Sequence, residues 1–162
     1  MNKIRFGILG SGFMGSTHAE AIRRLPNAEL IAVWGGRRAP ALAERYKMAF
    51  EPDLDGLLKR PDIDAIIVTT PHHLHVDETL KAFAQGKHVL VEKPLATTVA
   101  DCDLMLAAAA KHGRTLGVGY QQRFRTNCAV AGPMIRDGAI GKVLAAQVSM
   151  PMYSGTIKAG GF

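Results

Sequence analysis

Three groups of residues have types and spacings that could do chemistry. Gly10, Gly12 and Gly15 stand in the G-x-G-x-x-G spacing of GILGSGFMG, with Ser11, Phe13 and Met14 between them. Glu92, Lys93 and Pro94 follow the apolar run HVLV and set a carboxylate beside an amine. In VWGGRR (33–38), two glycines and two arginines close another apolar run. When such a glycine pattern ends a strand and opens a helix, the first glycine permits the tight turn. The second lets the backbone approach a pyrophosphate, and the third lets helix and strand pack closely. The helix N-terminus adds unpaired N–H donors and a partial positive charge. A chain with 17 glycines can produce this spacing by chance, so the weight rests on its position between a strand and a helix. The competing reading is a structural turn in another kind of α/β domain.

The third group, VWGGRR, bears on which dinucleotide is bound. In the NAD type of site, an acid about 20 residues after the glycines hydrogen-bonds the ribose 2′-hydroxyl. In this sequence that count arrives at Gly35, and no Asp or Glu occurs between Leu30 and Arg38. A carboxylate would repel a 2′-phosphate, whereas guanidinium groups form paired charge-assisted hydrogen bonds with it. Gly35 and Gly36 leave room, and Arg37 and Arg38 supply the charge. The pattern predicts NADP in preference to NAD; the alternative is a solvated loop with two surface arginines. Lys93 suits the matching chemistry. Moving a hydride from a carbon that bears a hydroxyl also requires removal of the hydroxyl proton. A lysine does this near neutrality only where burial or neighbouring charge tunes it.

The elements that must position these groups follow from the pattern of apolar runs. Runs at 4–10, 28–34, 48–50, 64–70, 87–92 and 114–120 have strand length. Segments of helical length at 14–25, 41–47, 53–60 and 75–86 lie between them, and another runs from a cap near Thr98 to Gly113. Strands that are apolar nearly throughout, joined by helices, predict a doubly wound α/β domain with a parallel sheet covered on both faces. After Tyr120 the rhythm changes. A helix is predicted over 127–137, then a strand over 143–150, whose unpaired edge would favour self-association.

Composition narrows the function. Apolar residues at 48% and charged residues at 21% exclude a disordered chain, and no apolar run approaches the roughly 20 residues of a membrane span. Lys3 and Arg5 precede apolar residues as in a signal peptide, but the run is short and gives way to the glycine pattern. A cytoplasmic location is expected. Cys102 and Cys128 lack metal-site or disulfide spacing, so no metal is predicted. The net charge of +6 raises nucleic acid as a partner. The basic residues are scattered, however, and their longest runs are the pairs 23–24, 37–38 and 59–60. A basic site for a small anionic ligand fits better, with neither nucleic acid nor membrane as partner.

The glycine loop, the segment TTPHHLHVDETLKAFAQGKHVLVEKPLATT (69–98) and GVGYQQRF (117–124) occur in that order. Together they resemble the glucose–fructose oxidoreductase and inositol dehydrogenase (Gfo/Idh/MocA) family, with Glu92-Lys93-Pro94 as the most specific element. The resemblance implies an NAD(P)-dependent oxidoreductase of a sugar, cyclitol or related polyol, and a homo-oligomer in the full-length form. It implies that Lys93 contacts substrate and nicotinamide and assists proton transfer, with Glu92 as a cofactor-contacting partner. Thr70, Pro71 and His75 match a loop bordering the cofactor, while His72 and His73 fall on loop surface. Tyr120, Gln121 and Arg123 match a segment flanking the nicotinamide, although many relatives have Asn at the position of Gln121. The implied organisation is a cofactor domain over 1–122, followed by a connecting helix and the start of a substrate domain over 123–162. In relatives that second domain carries an Asp-x-x-x-His segment with a principal acid/base histidine. AGGF (159–162) resembles the beginning of that segment, so the chain looks like a cofactor half ending just before it. A non-catalytic NADP(H) sensor or regulatory module is the other function that these residues fit.

Overall fold

The computed structural model describes residues 3–147 and 149. Six strands form one parallel sheet: β1 (Ile4–Leu9), β2 (Ala28–Trp34), β3 (Ala49–Phe50), β4 (Ala65–Val68), β5 (His88–Val91) and β6 (Leu116–Val118). Their spatial order is β3-β2-β1-β4-β5-β6, so the direction of winding reverses between β1 and β4. Ligands of open α/β sheets bind at such a switch point, beyond the carboxyl ends of the strands. The connecting helices are α1 (Phe13–Arg23), α2 (Ala39–Tyr46), α3 (Leu54–Lys59), α4 (His75–Ala84) and α5 (Val99–His112), with α6 (Thr126–Arg136) after the sheet.

Successive strand side chains point to opposite faces, and two apolar layers result. Ile8, Val33 and Ile67 pack with Ala19 and Ile22 of α1 and with Ala39, Leu42 and Ala43 of α2. Leu9, Ala32, Ile66 and Val68 pack on the other face with Leu57 and Leu58 of α3, Phe83 of α4 and Met105 of α5. Every residue of β4 is buried, as the unbroken apolar run of a strand covered on both faces requires. Each fully buried Ile, Leu or Phe in these layers contributes about 1.5–3 kcal/mol by leaving water. The doubly wound parallel sheet expected from the sequence is the fold observed.

Helix ends are set by local chemistry. Thr98 caps α5 by accepting from the Asp101 N–H at 3.1 Å, and Gly113 ends it in the left-handed conformation. Asp53 caps α3 through the Gly56 N–H at 2.7 Å. The expected 114–120 strand is shorter, because only Leu116–Val118 pairs with β5.

One expected element does not form in its described part. Residues 143–147 have no regular structure, and positions 148 and 150 lie outside the described residues, as does AGGF at 159–162. A strand exists through its ladder with a neighbour, and 143–147 pair with no strand among the described residues. The chain divides into two compact units between Gly119 and Tyr120, slightly before the expected boundary at 122. The described elements of the second unit are a single 3-10 turn, Gln121–Phe124, and α6, none of whose residues is buried.

Candidate functional site

Parallel register brings the carboxyl ends of five strands, β2, β1, β4, β5 and β6, to one line. The Gly10 N–H donates to Trp34 O (2.7 Å), Thr69 to Leu9 O (2.8 Å), Glu92 to Val68 O (2.9 Å) and Gly119 to Val91 O (2.8 Å). The glycine loop, the Thr69–Pro71 segment and Glu92-Lys93 therefore occupy adjacent positions on one edge of the sheet. The side chains of this layer decide what each can do.

Each glycine of the loop answers a different demand. Gly10 has φ +99°, and a Cβ there would stand 2.9 Å from the backbone of Thr69. A Cβ on Gly15 would stand 2.1 Å from Gly10 O, so α1 can approach β1 only because that position has no side chain. Gly12 is different: a Cβ on it meets nothing within 4 Å, and its φ of −74° suits any residue. Nothing in the packing of the described residues requires a glycine at 12. The open space lies at the N-terminus of α1, where Gly12 makes no side-chain cap and the first turn carries no acid. Unpaired N–H donors, the helix dipole and this clearance fit a phosphate group. Ser11 is buried, whereas Phe13 is exposed and Met14 partly so.

The end of β2 packs along the loop. Gly35 and Gly36 both have left-handed φ, +88° and +81°, and a Cβ on Gly36 would come within 2.7 Å of Ser11 Oγ. The room expected at these glycines is thus also a backbone requirement. Arg37 and Arg38 are exposed at the start of α2, and neither takes part in a salt bridge among the described residues.

Beyond β4 lies a buried polar cluster. Thr70 Oγ1 donates to Glu78 Oε2, and burial pushes the Glu78 carboxyl up to about 7 against the lowering effect of that hydrogen bond. His75 is fully buried. Its Nδ1 lies 2.9 Å from Pro94 O and its Nε2 3.0 Å from Thr70 O, so it ties the Thr70 loop to the turn after β5. With both ring nitrogens against backbone carbonyls, His75 holds the loop instead of presenting itself to a ligand. Pro71, His72 and His73 are exposed.

Beyond β5, Lys93 is exposed and precedes a cis bond to Pro94. Glu92 is buried. Its Oε1 lies 2.8 Å from His18 Nε2, and its Oε2 accepts from the Lys93 N–H at 3.2 Å. Tyr120, Gln121 and Arg123 belong to the second unit and are exposed within it.

Three residues of this edge have no signal in the local pattern. Thr69 Oγ1 lies 2.8 Å from Leu9 O and 3.1 Å from Gly10 O, clamping the first glycine. Glu78 and His18 complete the networks above. Each meets its partner through the fold, and only strand-end register could have suggested Thr69. A depression of about 430 Å³ on the outer side of α1 is lined by Phe13, Thr17, Arg24 and Tyr46 among others. Neither Lys93 nor Gly12 is among the residues that line it. No helix among the described residues is long and apolar enough to cross a membrane.

Comparison with known proteins agrees with this geometry. The chain is 34% identical over 144 residues to the 2,7-anhydro-N-acetylneuraminate hydratase of Mediterraneibacter gnavus, covering 89% of this chain and 38% of that protein. It is 35% identical over 151 residues to the inositol 2-dehydrogenase of Acidothermus cellulolyticus, covering 90% and 44% respectively. Among solved structures, scyllo-inositol dehydrogenase from Lactobacillus casei with NAD(H) and scyllo-inositol bound superposes with a TM-score of 0.79. The identity there is 27%, over 86% of this chain and 43% of that one. The chain thus spans about two fifths of the length of these relatives. The family model described as "Oxidoreductase family, NAD-binding Rossmann fold" matches residues 4–120. This chain belongs to that family, Gfo/Idh/MocA.

Proposed function

We propose that this chain is the cofactor-binding half of an NADP-preferring oxidoreductase acting on a sugar, cyclitol or related polyol. The observation that carries the reading is Gly12, a glycine that the fold does not need, at an uncapped helix start whose clearance matches a phosphate. The loop backbone from Gly10 to Gly15 would hold the pyrophosphate. Arg37 and Arg38, exposed and outside the described salt bridges, would bind a 2′-phosphate beside Gly35 and Gly36. Thr70 and Pro71 would border the cofactor, with His75 holding them. Lys93, exposed beyond β5, would meet the substrate hydroxyl and move its proton. When bound, the nicotinamide supplies the hydride acceptor or donor.

The remaining assignments belong to the same proposal. Residues 1–122 form the cofactor domain and 123–162 lead into a substrate domain; Gln121 flanks the nicotinamide. The whole protein is a cytoplasmic homo-oligomer, a location suited to the free thiols of Cys102 and Cys128. The relatives' names favour a polyol or sugar-derived substrate over the sensor reading, since both inositol dehydrogenases and a sialic-acid-derivative hydratase are similar to this chain.

Calorimetry tests the cofactor choice. NADPH should bind more tightly than NADH, and Arg37→Ala with Arg38→Ala should cost about 1–3 kcal/mol per lost charge-assisted contact for NADPH and much less for NADH. Equal affinities in the unmodified chain would contradict NADP preference. Turnover of a polyol panel by the 162 residues alone should be very low, since they span about two fifths of the relatives' length and substrate positioning and a further acid/base group are each worth orders of magnitude in rate. Full turnover surviving Lys93→Ala would contradict the role given to Lys93.

A further inference from the structure

The His18–Glu92 contact has no place in the assignments above. His18 lies on α1, the helix that begins at the glycine loop, and Glu92 stands at the end of β5, 74 residues away. Both side chains are largely shielded, with 19% and 7% of their surface exposed. A carboxylate only accepts, so the imidazole places its hydrogen on Nε2 and donates across the 2.8 Å gap. The other oxygen receives the Lys93 N–H. A Cβ on Gly119 would stand 2.9 Å from Glu92 Oε1, so the first residue beyond β6 is one that leaves the carboxylate its space. Helix α1, the Lys93 peptide and the residue after β6 thus enclose one acidic group, and both of its oxygens are engaged within the protein.

We propose that His18 is a positioning residue. Acting through Glu92, it fixes the Lys93 peptide relative to α1 and so sets the spacing between the phosphate seat and the nicotinamide end of the site. The inference rests on the dinucleotide reading. A doubly wound sheet binds one mononucleotide on each half, across the switch point. The glycine loop belongs to the β1–β3 half and Lys93 to the β4–β6 half, and the His18–Glu92 bond joins them. Thr69 and the end of β2 hold the glycine loop without help from His18. Loss of His18 therefore frees the Glu92 carboxylate that accepts from the Lys93 N–H, shifting that peptide while the phosphate seat stays in place.

The test uses the full 162-residue chain with His18→Gln, whose side-chain amide donates as Nε2 does, and His18→Leu, which cannot donate. His18→Asn, polar but too short to reach, replaces the leucine variant if that one fails to fold. Calorimetry compares NADPH with adenosine 2′,5′-bisphosphate, which lacks the nicotinamide half. The non-donating variant should lose about tenfold in NADPH affinity, the scale of one hydrogen bond to a charged group, with bisphosphate affinity unchanged; His18→Gln should restore most of the loss. Equal weakening of both ligands would show a merely structural role and overturn the proposal, as would no weakening of either. The amide resonance of Lys93 provides an arm independent of any ligand. It should move in the non-donating variant and stay near its original position in His18→Gln; an unmoved Lys93 amide overturns the proposal even if the chain binds no nucleotide. Failure of the unmodified chain to bind either ligand would instead count against the dinucleotide reading.

Discussion

Gly10, Gly12 and Gly15 share a spacing but not a cause. Gly15 lies so close to Gly10 O that an added Cβ would sit at 2.1 Å. Gly15→Ala must therefore push α1 off β1, a loss of about 1–3 kcal/mol or more by overpacking, measurable as a lower urea midpoint. Glu78 gives a residue-scale pH dependence. Burial raises its carboxyl from the usual 4.5 to about 7, so the folded chain binds this proton more tightly than the unfolded chain. Its stabilising contribution is complete below about pH 4.5 and is lost as pH rises through about 7, by up to about 1 kcal/mol per unit. Glu78→Gln should flatten that fall in melting temperature. Asp64, held at about 2 by Arg5, contributes the opposite slope only below about pH 4, so the two windows do not overlap. The glycine loop and Glu92-Lys93-Pro94 were legible in the sequence because their residues are contiguous. His18 was not, because its meaning is a contact with a residue 74 positions away.

At the scale of elements, apolar runs predicted every strand of the sheet and five helices between them, with boundaries displaced by a few residues at most. They worked because a strand buried on both faces is apolar throughout and a helix between strands has its own period. The cap at Thr98 was readable for the same local reason, and Thr98→Ala should cost about 1 kcal/mol of stability, visible as a lower thermal midpoint with an unchanged fold. The strand predicted over 143–150 shows the limit of such patterns. VLAAQ has the right composition, but a strand also needs a neighbour, and composition carries no information about one. The conformation of Gly35 and Gly36 was likewise hidden. Their absence of side chains suggested room for a ligand, while their left-handed φ and the contact of Gly36 with Ser11 give the backbone its own reason for glycine. Arg37 and Arg38, free of described salt bridges, thus carry more of the NADP argument than the glycines do.

At the scale of the whole molecule, the proposed reading assigns part of the charge of +6 to a small anionic ligand, with Arg37 and Arg38 exposed and the start of α1, at the carboxyl edge of the sheet, free of a side-chain cap. The central claim is that this edge seats a dinucleotide phosphate at Gly12. Titration calorimetry with NADPH on the unmodified chain and on Gly12→Val, paired with thermal unfolding of each, tests it most directly. A Cβ at this position meets nothing within 4 Å among the described residues, so the variant should keep its fold and melting temperature while its branched side chain fills the phosphate seat and abolishes binding. A folded Gly12→Val chain that binds NADPH as tightly as the unmodified one would contradict the account.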